Sequence, residues 1–361
     1  MTMPERSNSG RRTLGHLAFW AATLLLVGLA IAQSLDAAGV TKLGFTDWRP
    51  VLYGYVLWGV ALGFRQVMLH GEKGKRALFV LPAALFTAAM AIFPMIFCIM
   101  LAFSDWNLAS LSGGHFNGID NIVQMLNDSF YSNALLNMGY YVFMVLFEYA
   151  IAFGLALLLN SEIKGQRFFR IAFLLPLMLS PVAVSWMVGK SMMEIRYGPL
   201  ARLARFLGWQ NPAFFSTPDM ARLMIEAMDA WTFIPFMMIM LLAGLQALPK
   251  EVQEAARVDG ANAWQNFWAI TFPLMLPVSV TAVVIRIIFK LKLADIIINV
   301  TSGGPGGATD SVTSFIFREY RDRSNVGYGT LLAFVYLILI VILITLLLNV
   351  LSKVMARSVN R

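Results

Sequence analysis

Apolar stretches of bilayer-spanning length recur along the chain, near residues 14–33, 51–69, 77–103, 133–159, 171–195, 222–246, 273–299 and 327–351. A helix rises only ~1.5 Å per residue, so about 20 such residues are needed to cross a hydrocarbon core. The pattern predicts an all-α polytopic membrane protein with about eight transmembrane helices. A short polar linker, HGEKGKR at 70–76, follows the second stretch. It divides the chain into residues 1–76, a tail with two spans, and a six-span core over 77–361.

One connector breaks the alternation of apolar run and short loop. Over 247–277 the chain reads ALPKEVQEAARVDGANAWQNFWAITFPLMLP. Val252, Ala255, Ala256 and Val258 form a small apolar face, while Lys250, Glu251, Glu254 and Arg257 are charged, so a short amphipathic helix is predicted. Gly260 ends it. Trp264, Phe267, Trp268, Ile270 and Phe272 then lead back into the membrane, with Pro273 and Pro277 opening the next run. The small residues Ala255, Ala256 and Gly260 would let another backbone approach closely, which suits a docking element. The bare pattern equally suits a surface helix that merely joins two spans.

Composition agrees with the spans: the chain is 58% hydrophobic and 13% charged, with mean hydropathy +0.69. A soluble core cannot bury that much apolar residue. The net charge of +8 could suit nucleic acid, but the placement of the cations explains it as topology. With the N-terminus in the cytoplasm, Arg6, Arg11 and Arg12, then Arg65, Lys73, Lys75 and Arg76, then Lys164, Arg167 and Arg170, then Lys250 and Arg257, and finally Lys353, Arg357 and Arg361 fall inside. The outer segment 104–132 then holds no Lys or Arg, and the other outer loops hold fewer in sum. The positive-inside rule thus places both termini and the 247–277 connector in the cytoplasm. Arg11 and Arg12 before an apolar run that ends in Ala30-Ile31-Ala32 can also be read as a cleaved signal, which leaves the remaining topology intact.

The connector also carries a resemblance. Glu254, Ala255, Ala256, Asp259, Gly260 and Ala261, followed by Phe267, Ile270, Pro273 and Pro277, resemble the cytoplasmic signature of the membrane subunits of binding-protein-dependent ABC importers. Other stretches extend the likeness from about Leu78 to the end, in the manner of carbohydrate-uptake permeases. They are Phe103-Ser104-Asp105-Trp106, Asn137 with ALLLN at 156–160, RIAFLLPLMLSP at 170–181, Asp229-Ala230-Trp231 with Pro235-Phe236, and NVTSGGPGG at 299–307. The two extra N-terminal spans are similar to those of the larger maltose-type membrane subunit, although the outer loop after the third span is too short for a large periplasmic domain.

The resemblance implies a type I ABC importer permease fold with a cytoplasmic coupling helix. In it Glu251, Glu254, Ala255, Ala256, Asp259, Gly260 and Ala261 would face a separate ATPase. It further implies no cofactor in this chain, with ATP and Mg held by a partner ATPase dimer, and a second permease subunit that forms a heterodimer. A periplasmic or lipid-anchored solute-binding protein would deliver a carbohydrate. The location implied is the bacterial inner membrane, in contact with lipid and not with nucleic acid.

The remaining chemistry lies within the spans. Arg286, Lys290, Lys292 and Asp295 occupy an otherwise apolar seventh span, where charge is costly unless it faces protein or water. At about 100° per residue they fall on adjoining parts of one helix and are expected to face inward. Asn137, Tyr140, Tyr141, Glu148, Glu226, Asp229 and Trp231 are further polar or aromatic residues at membrane depth. Together they read either as a pathway for a hydroxylated solute or as internal ion pairs and packing contacts. The excess of cation raises an anionic sugar, sulfonated or acidic, among the candidate solutes. Buried charge could also serve a proton- or ion-coupled secondary transporter, which would leave the 254–260 signature without a role.

Enzymatic and metal chemistry find little support. Cys98 is the single cysteine, and His16, His70 and His115 are scattered, so no metal cluster is expected. The glycine run at 303–307 lacks the Gly-Lys-Ser/Thr ending of a phosphate loop. Finally, YGPLARLARFLGW at 197–209 predicts an outer amphipathic helix, with Leu200, Leu203, Ala204 and Leu207 on one face and Arg202 and Arg205 on another.

Overall fold

A computed structural model describes residues 7–37, 41, 43, 44, 47–110, 114–161 and 163–359. Arg6 and Arg361, and the side chains of Lys250, Arg257 and Arg357, all counted in the topology argument, lie outside the described residues. Helices dominate, and among the described residues β-pairing is limited to the isolated bridges Ser104–Phe116 and Asn107–Asn325. The chain divides into two compact units, residues 1–97 and 98–361, with the division falling inside a helix.

In the first unit, α1 (Ser7–Ala37) and α2 (Arg49–His70) pack on each other, and α3 (Glu72–Ala102) follows. Trp58 Nε1 donates to Thr23 Oγ1 at 3.1 Å, and the Arg65 guanidinium lies 4.6 Å from the centre of the Phe19 ring. Tyr55 donates its hydroxyl to the Leu85 carbonyl at 2.6 Å, which ties α2 to α3.

The second unit contains α4 (Asp120–Asn127), α5 (Ser129–Asn160) and α6 (Gln166–Leu174), which continues as a 3₁₀ turn to Met178. Next come α7 (Pro181–Val184), prolonged by a π-helical segment to Met192, then α8 (Pro199–Phe206), α9 (Pro218–Gln246) and α10 (Lys250–Val258). After α11 (Ala263–Asn266) and a π-turn, α12 (Phe272–Lys290) leads to α13 (Asp295–Val300), α14 (Val312–Arg321) and α15 (Val326–Val359). Asp128 caps α5 by accepting from the Phe130 and Tyr131 amides, and its other oxygen accepts the Tyr328 hydroxyl at 2.8 Å. A capped helix start satisfies amide groups that lipid could not.

Among the described residues, seven helices are long and apolar enough to cross a membrane, or eight with the bent pair Gln166–Met178 and Pro181–Met192. That pair corrects the fifth predicted span, which reads as one rod in the sequence but turns by 97° in the structure. Pro176 and Pro181 cannot donate to a continuing helix, and each instead opens a new segment. The seventh span is broken as well: α12 stops at Lys290, and residues 291–294 form a turn before α13.

The centre of the second unit is α5, α9 and α12. Ala152, Phe153 and Ala156 of α5 pack with Met237, Met238 and Leu241 of α9 and with Met275 and Ala282 of α12. A second apolar cluster joins Ile225 and Met228 of α9 to Tyr141, Leu293, Ile296 and Ile297. Leu337, Ile338, Val341 and Ile342 on α15 are exposed, as expected for a surface that meets lipid.

Candidate functional site

Between those two apolar clusters lies a knot of charge. The sequence builds it by spacing. Glu226 and Asp229 are three apart on α9, Arg286 and Lys290 are four apart on α12, and each pair therefore occupies one face of its helix. Glu148 of α5 closes the group.

Arg286 grips Glu148 with two nitrogens, Nε to Oε2 at 2.5 Å and Nη2 to Oε1 at 3.0 Å, and Nη2 also donates to Asp229. Lys290 Nζ is 2.7 Å from Glu148 Oε1 and 2.8 Å from Glu226 Oε2, and it donates to Asp229 as well. The Phe233 ring lies under the guanidinium, 4.6 Å from centroid to Cζ. Arg286 and Lys290 are both 0% exposed. The three carboxylates lie within 4.8 Å of one another, close enough to hold a metal ion, but the ammonium and guanidinium occupy that place.

Burying five ionisable groups is tolerable only when nearly every one is paired and hydrogen-bonded. Glu226 Oε1 and Arg286 Nη1 are the buried cluster atoms without a hydrogen-bond partner among the described residues. Glu226 falls among the polar residues expected at membrane depth, and its three-residue spacing from Asp229 on an apolar helix places both carboxylates opposite the Arg–Lys pair spaced by four.

The other membrane-depth candidates lie elsewhere. Asn137 Nδ2 donates to the Gly307 and Asp310 carbonyls at 3.2 and 3.0 Å, and the Tyr141 hydroxyl donates to the Thr309 carbonyl at 3.0 Å. These bonds hold the glycine-rich turn onto α5. Tyr140 is half-buried, edge-on to Tyr141, and Trp231 is exposed.

Lys292 and Asp295 depart from the expectation that they face inward with Arg286. The helix break puts Lys292 in the turn and Asp295 at the start of α13, and both are exposed. They line a cavity of about 260 Å³ together with Phe233, Phe289 and one edge of Asp229. Neither Arg286 nor Lys290 reaches it. Lys292 has no ion pair among the described residues.

A separate feature lies beyond α9. Glu251, Glu254 and Ala255 are exposed on α10 and Asp259 in the turn after it, Ala256 is buried, and Val252 and Val258 present apolar side chains to the outside. Gly260 stands at φ +77°, and the Ala261 amide reaches back to the Ala256 carbonyl at 2.9 Å. This six-residue closure satisfies a carbonyl at the helix end and requires a left-handed residue before Ala261. Asn262 then caps α11 reciprocally with Gln265, both bonds at 2.9 Å, so the two short helices form a defined elbow.

This elbow and the helices around it match a known family. The model for "binding-protein-dependent transport system inner membrane component" aligns with residues 56–361. The chain belongs to this family. Among similar proteins, the trehalose/maltose transport system permease of Thermococcus litoralis is 33% identical over 227 residues, covering 63% of this chain and 76% of that one. The sulfoquinovosyl glycerol transport system permease of Agrobacterium fabrum is 30% identical over 273 residues, covering 74% and 87%. A bacterial alginate ABC transporter, solved with an alginate pentasaccharide-bound periplasmic protein, shares the fold at TM-score 0.67 and 21% identity, covering 77% of this chain and 94% of that one.

The permease has the type I importer fold and is a transport subunit, not an enzyme. Nothing among these relatives supports the secondary-transporter reading, and the buried charges that prompted it are engaged with one another.

Proposed function

We propose that this permease is one half of a sugar importer's membrane channel, with a second permease as the other half. The relatives named above for sugars and a sulfonated glycoside support the carbohydrate class. The observation that carries the reading is the exposed α10–Gly260–α11 elbow, which joins two packed spans and offers carboxylates and bare apolar side chains to a partner. A partner ATPase dimer, holding ATP and Mg, seats on this elbow in the cytoplasm, with Glu251 and Glu254 in charged contacts at the rim and Ala255 against its backbone. A solute-binding protein, periplasmic or lipid-anchored, docks at the opposite end. Both termini lie in the cytoplasm and residues 77–361 form the transport core of this inner-membrane subunit.

A pulling motion at α10 reaches the spans through α9 and α12, which the ion cluster ties to α5. Such a linkage favours rigid movement of the three helices together, the kind of two-state rearrangement that alternating access needs. Site-directed cross-linking tests the contact. In a Cys98→Ala background, Val258→Cys is expected to cross-link to a cysteine series on the ATPase, and Phe206→Cys on α8 is not. Cross-linking from position 206 alone would refute the assignment.

The sugar's path runs past the helix break, where Phe233 and Phe289 offer faces for the apolar side of a ring and Lys292 offers an unpaired ammonium. Lys292 is the specific reason to favour an anionic sugar, since Arg286 and Lys290 are already paired with buried carboxylates. Lys292→Gln is expected to raise the half-saturating concentration for a sulfonated or acidic sugar about tenfold, the effect of ~1.4 kcal/mol, while a neutral sugar is little changed. Equal effects on both, measured as uptake into proteoliposomes, would remove the anionic preference.

A further inference from the structure

At the end of the second unit opposite α10, separated from it by the Ala263–Val300 span, the turn after α13 folds over the start of α5. Two of its glycines are crowded. A Cβ on Gly303 would lie 2.4 Å from Asp310 Oδ1, and one on Gly307 would lie 3.1 Å from the Phe130 ring. Gly303, Gly306 and Gly307 all have positive φ, between 58° and 86°. Thr309 and Asp310 bond their amides inside the turn, to the Gly303 and Gly307 carbonyls, but the amides of Gly303, Gly306 and Gly307 have no acceptor among the described residues.

These glycines form one wall of a cavity of about 280 Å³, closed on the other side by Phe130, Arg318 and Arg323. Two buried carboxylates hold the arginines in place from behind. Arg318 Nη2 is paired with Asp310, which is 1% exposed, and Arg323 Nη1 with Glu319, which is 2% exposed. Burial pushes the Asp310 carboxyl up to about 6, against the pull of Arg318, so the pair is fully ionised only above that pH. Each guanidinium keeps donors that no atom of the described residues uses, and Arg318 Nε is buried without an acceptor among them. Left-handed glycine amides beside fixed guanidinium groups form an anion-binding concavity. Packing alone explains the glycines, but it leaves the unmet donors without a role.

We propose that this pocket is a carboxylate site, and that it receives an acidic side chain of the solute-binding protein that docks on this end of the permease. The inference rests on the importer reading above. The pocket's donors suit a planar carboxylate, which a guanidinium can grip with two nitrogens, and its polar wall lacks the paired aromatic faces found at the helix break. Because Asp310 and Glu319 already balance the arginines, the pocket selects a shallow, reversible contact over tight ion capture.

The assembled transporter in nanodiscs tests this, with its solute-binding protein titrated and ATP hydrolysis as readout. Arg323→Gln should raise the binding-protein concentration for half-maximal stimulation about tenfold, ~1.4 kcal/mol, because it removes a charge-assisted hydrogen bond. Arg323→Lys should restore part of that shift. Arg321→Gln, an exposed neighbour outside the pocket, should behave as wild type. Stimulation of the wild type with an unshifted Arg323→Gln curve, or an equal shift in Arg321→Gln, overturns the pocket assignment. Binding of glucuronate at millimolar concentration that Arg323→Gln abolishes, while the binding-protein curve stays unshifted by it, would make the site one for free solute and also overturns it. If no binding protein stimulates even the wild type, the importer reading fails first and takes the pocket with it.

Discussion

Replacing Arg286 with methionine is expected to cost the permease roughly 3–5 kcal/mol of stability, enough to stop assembly with its partners. The side chain is 0% exposed and holds Glu148 through two nitrogens and Asp229 through one. Its loss leaves three buried carboxylates facing Lys290 alone, inside helices that cannot admit water freely. Methionine fills the volume, so the penalty is one of charge and not of cavity. The double variant Arg286→Met/Glu148→Gln should therefore regain part of the loss, as coupled sites do. Glu226→Gln should be mild, because Glu226 meets Lys290 through one oxygen while its Oε1 has no partner. Thermal unfolding of the detergent-purified complex measures all three. A single variant that assembles and melts like wild type would mean that the cluster is solvated and adds little to stability.

Gly260→Val is expected to separate ATP hydrolysis from uptake. The backbone there stands at φ +77°, a region that costs an L-residue about 1–2 kcal/mol and a β-branched one more. A Cβ at this position would meet nothing within 4 Å, so strain and not collision is the cause. Relief of the strain rotates the chain between α10 and α11 and loses the Ala261-to-Ala256 closure. The elbow then no longer presents Glu251, Glu254 and Ala255 in fixed relation to Asn262 and the spans. Uptake should fall by on the order of tenfold or more per ~1.4 kcal/mol of lost coupling, with ATP hydrolysis persisting. Gly260→Ala should lie between the two. Unchanged uptake per ATP hydrolysed in Gly260→Val would refute a role for this turn.

Much of this was legible in the residues. Apolar run length marked every helix that can span, and the Gly260 break and the 254–261 signature located the elbow. The bend at 178–181 was harder to see: Pro176 and Pro181 stood in the text of RIAFLLPLMLSP, but apolar length alone masked them. The break at 291–294 was hidden for the same reason, since Leu291, Leu293 and Ala294 keep the run apolar. That break explains why Lys292 and Asp295 part company from Arg286. Helical geometry put Arg286 and Lys290 on one face, but choosing between a pathway and ion pairs required the partners on α5 and α9, which no local pattern supplies. The pocket of Arg318 and Arg323 combines residues far apart in the chain, and only the fold shows it.

The most direct test is purification of the tagged chain from its own cells in mild detergent, with co-purifying polypeptides identified and ATP hydrolysis assayed with Glu254 intact or replaced by glutamine. The account predicts a stoichiometric ATPase and a second permease, with hydrolysis stimulated by a loaded solute-binding protein and with that stimulation weakened or lost in Glu254→Gln. A chain that purifies alone and moves solute in proteoliposomes without ATP would contradict it.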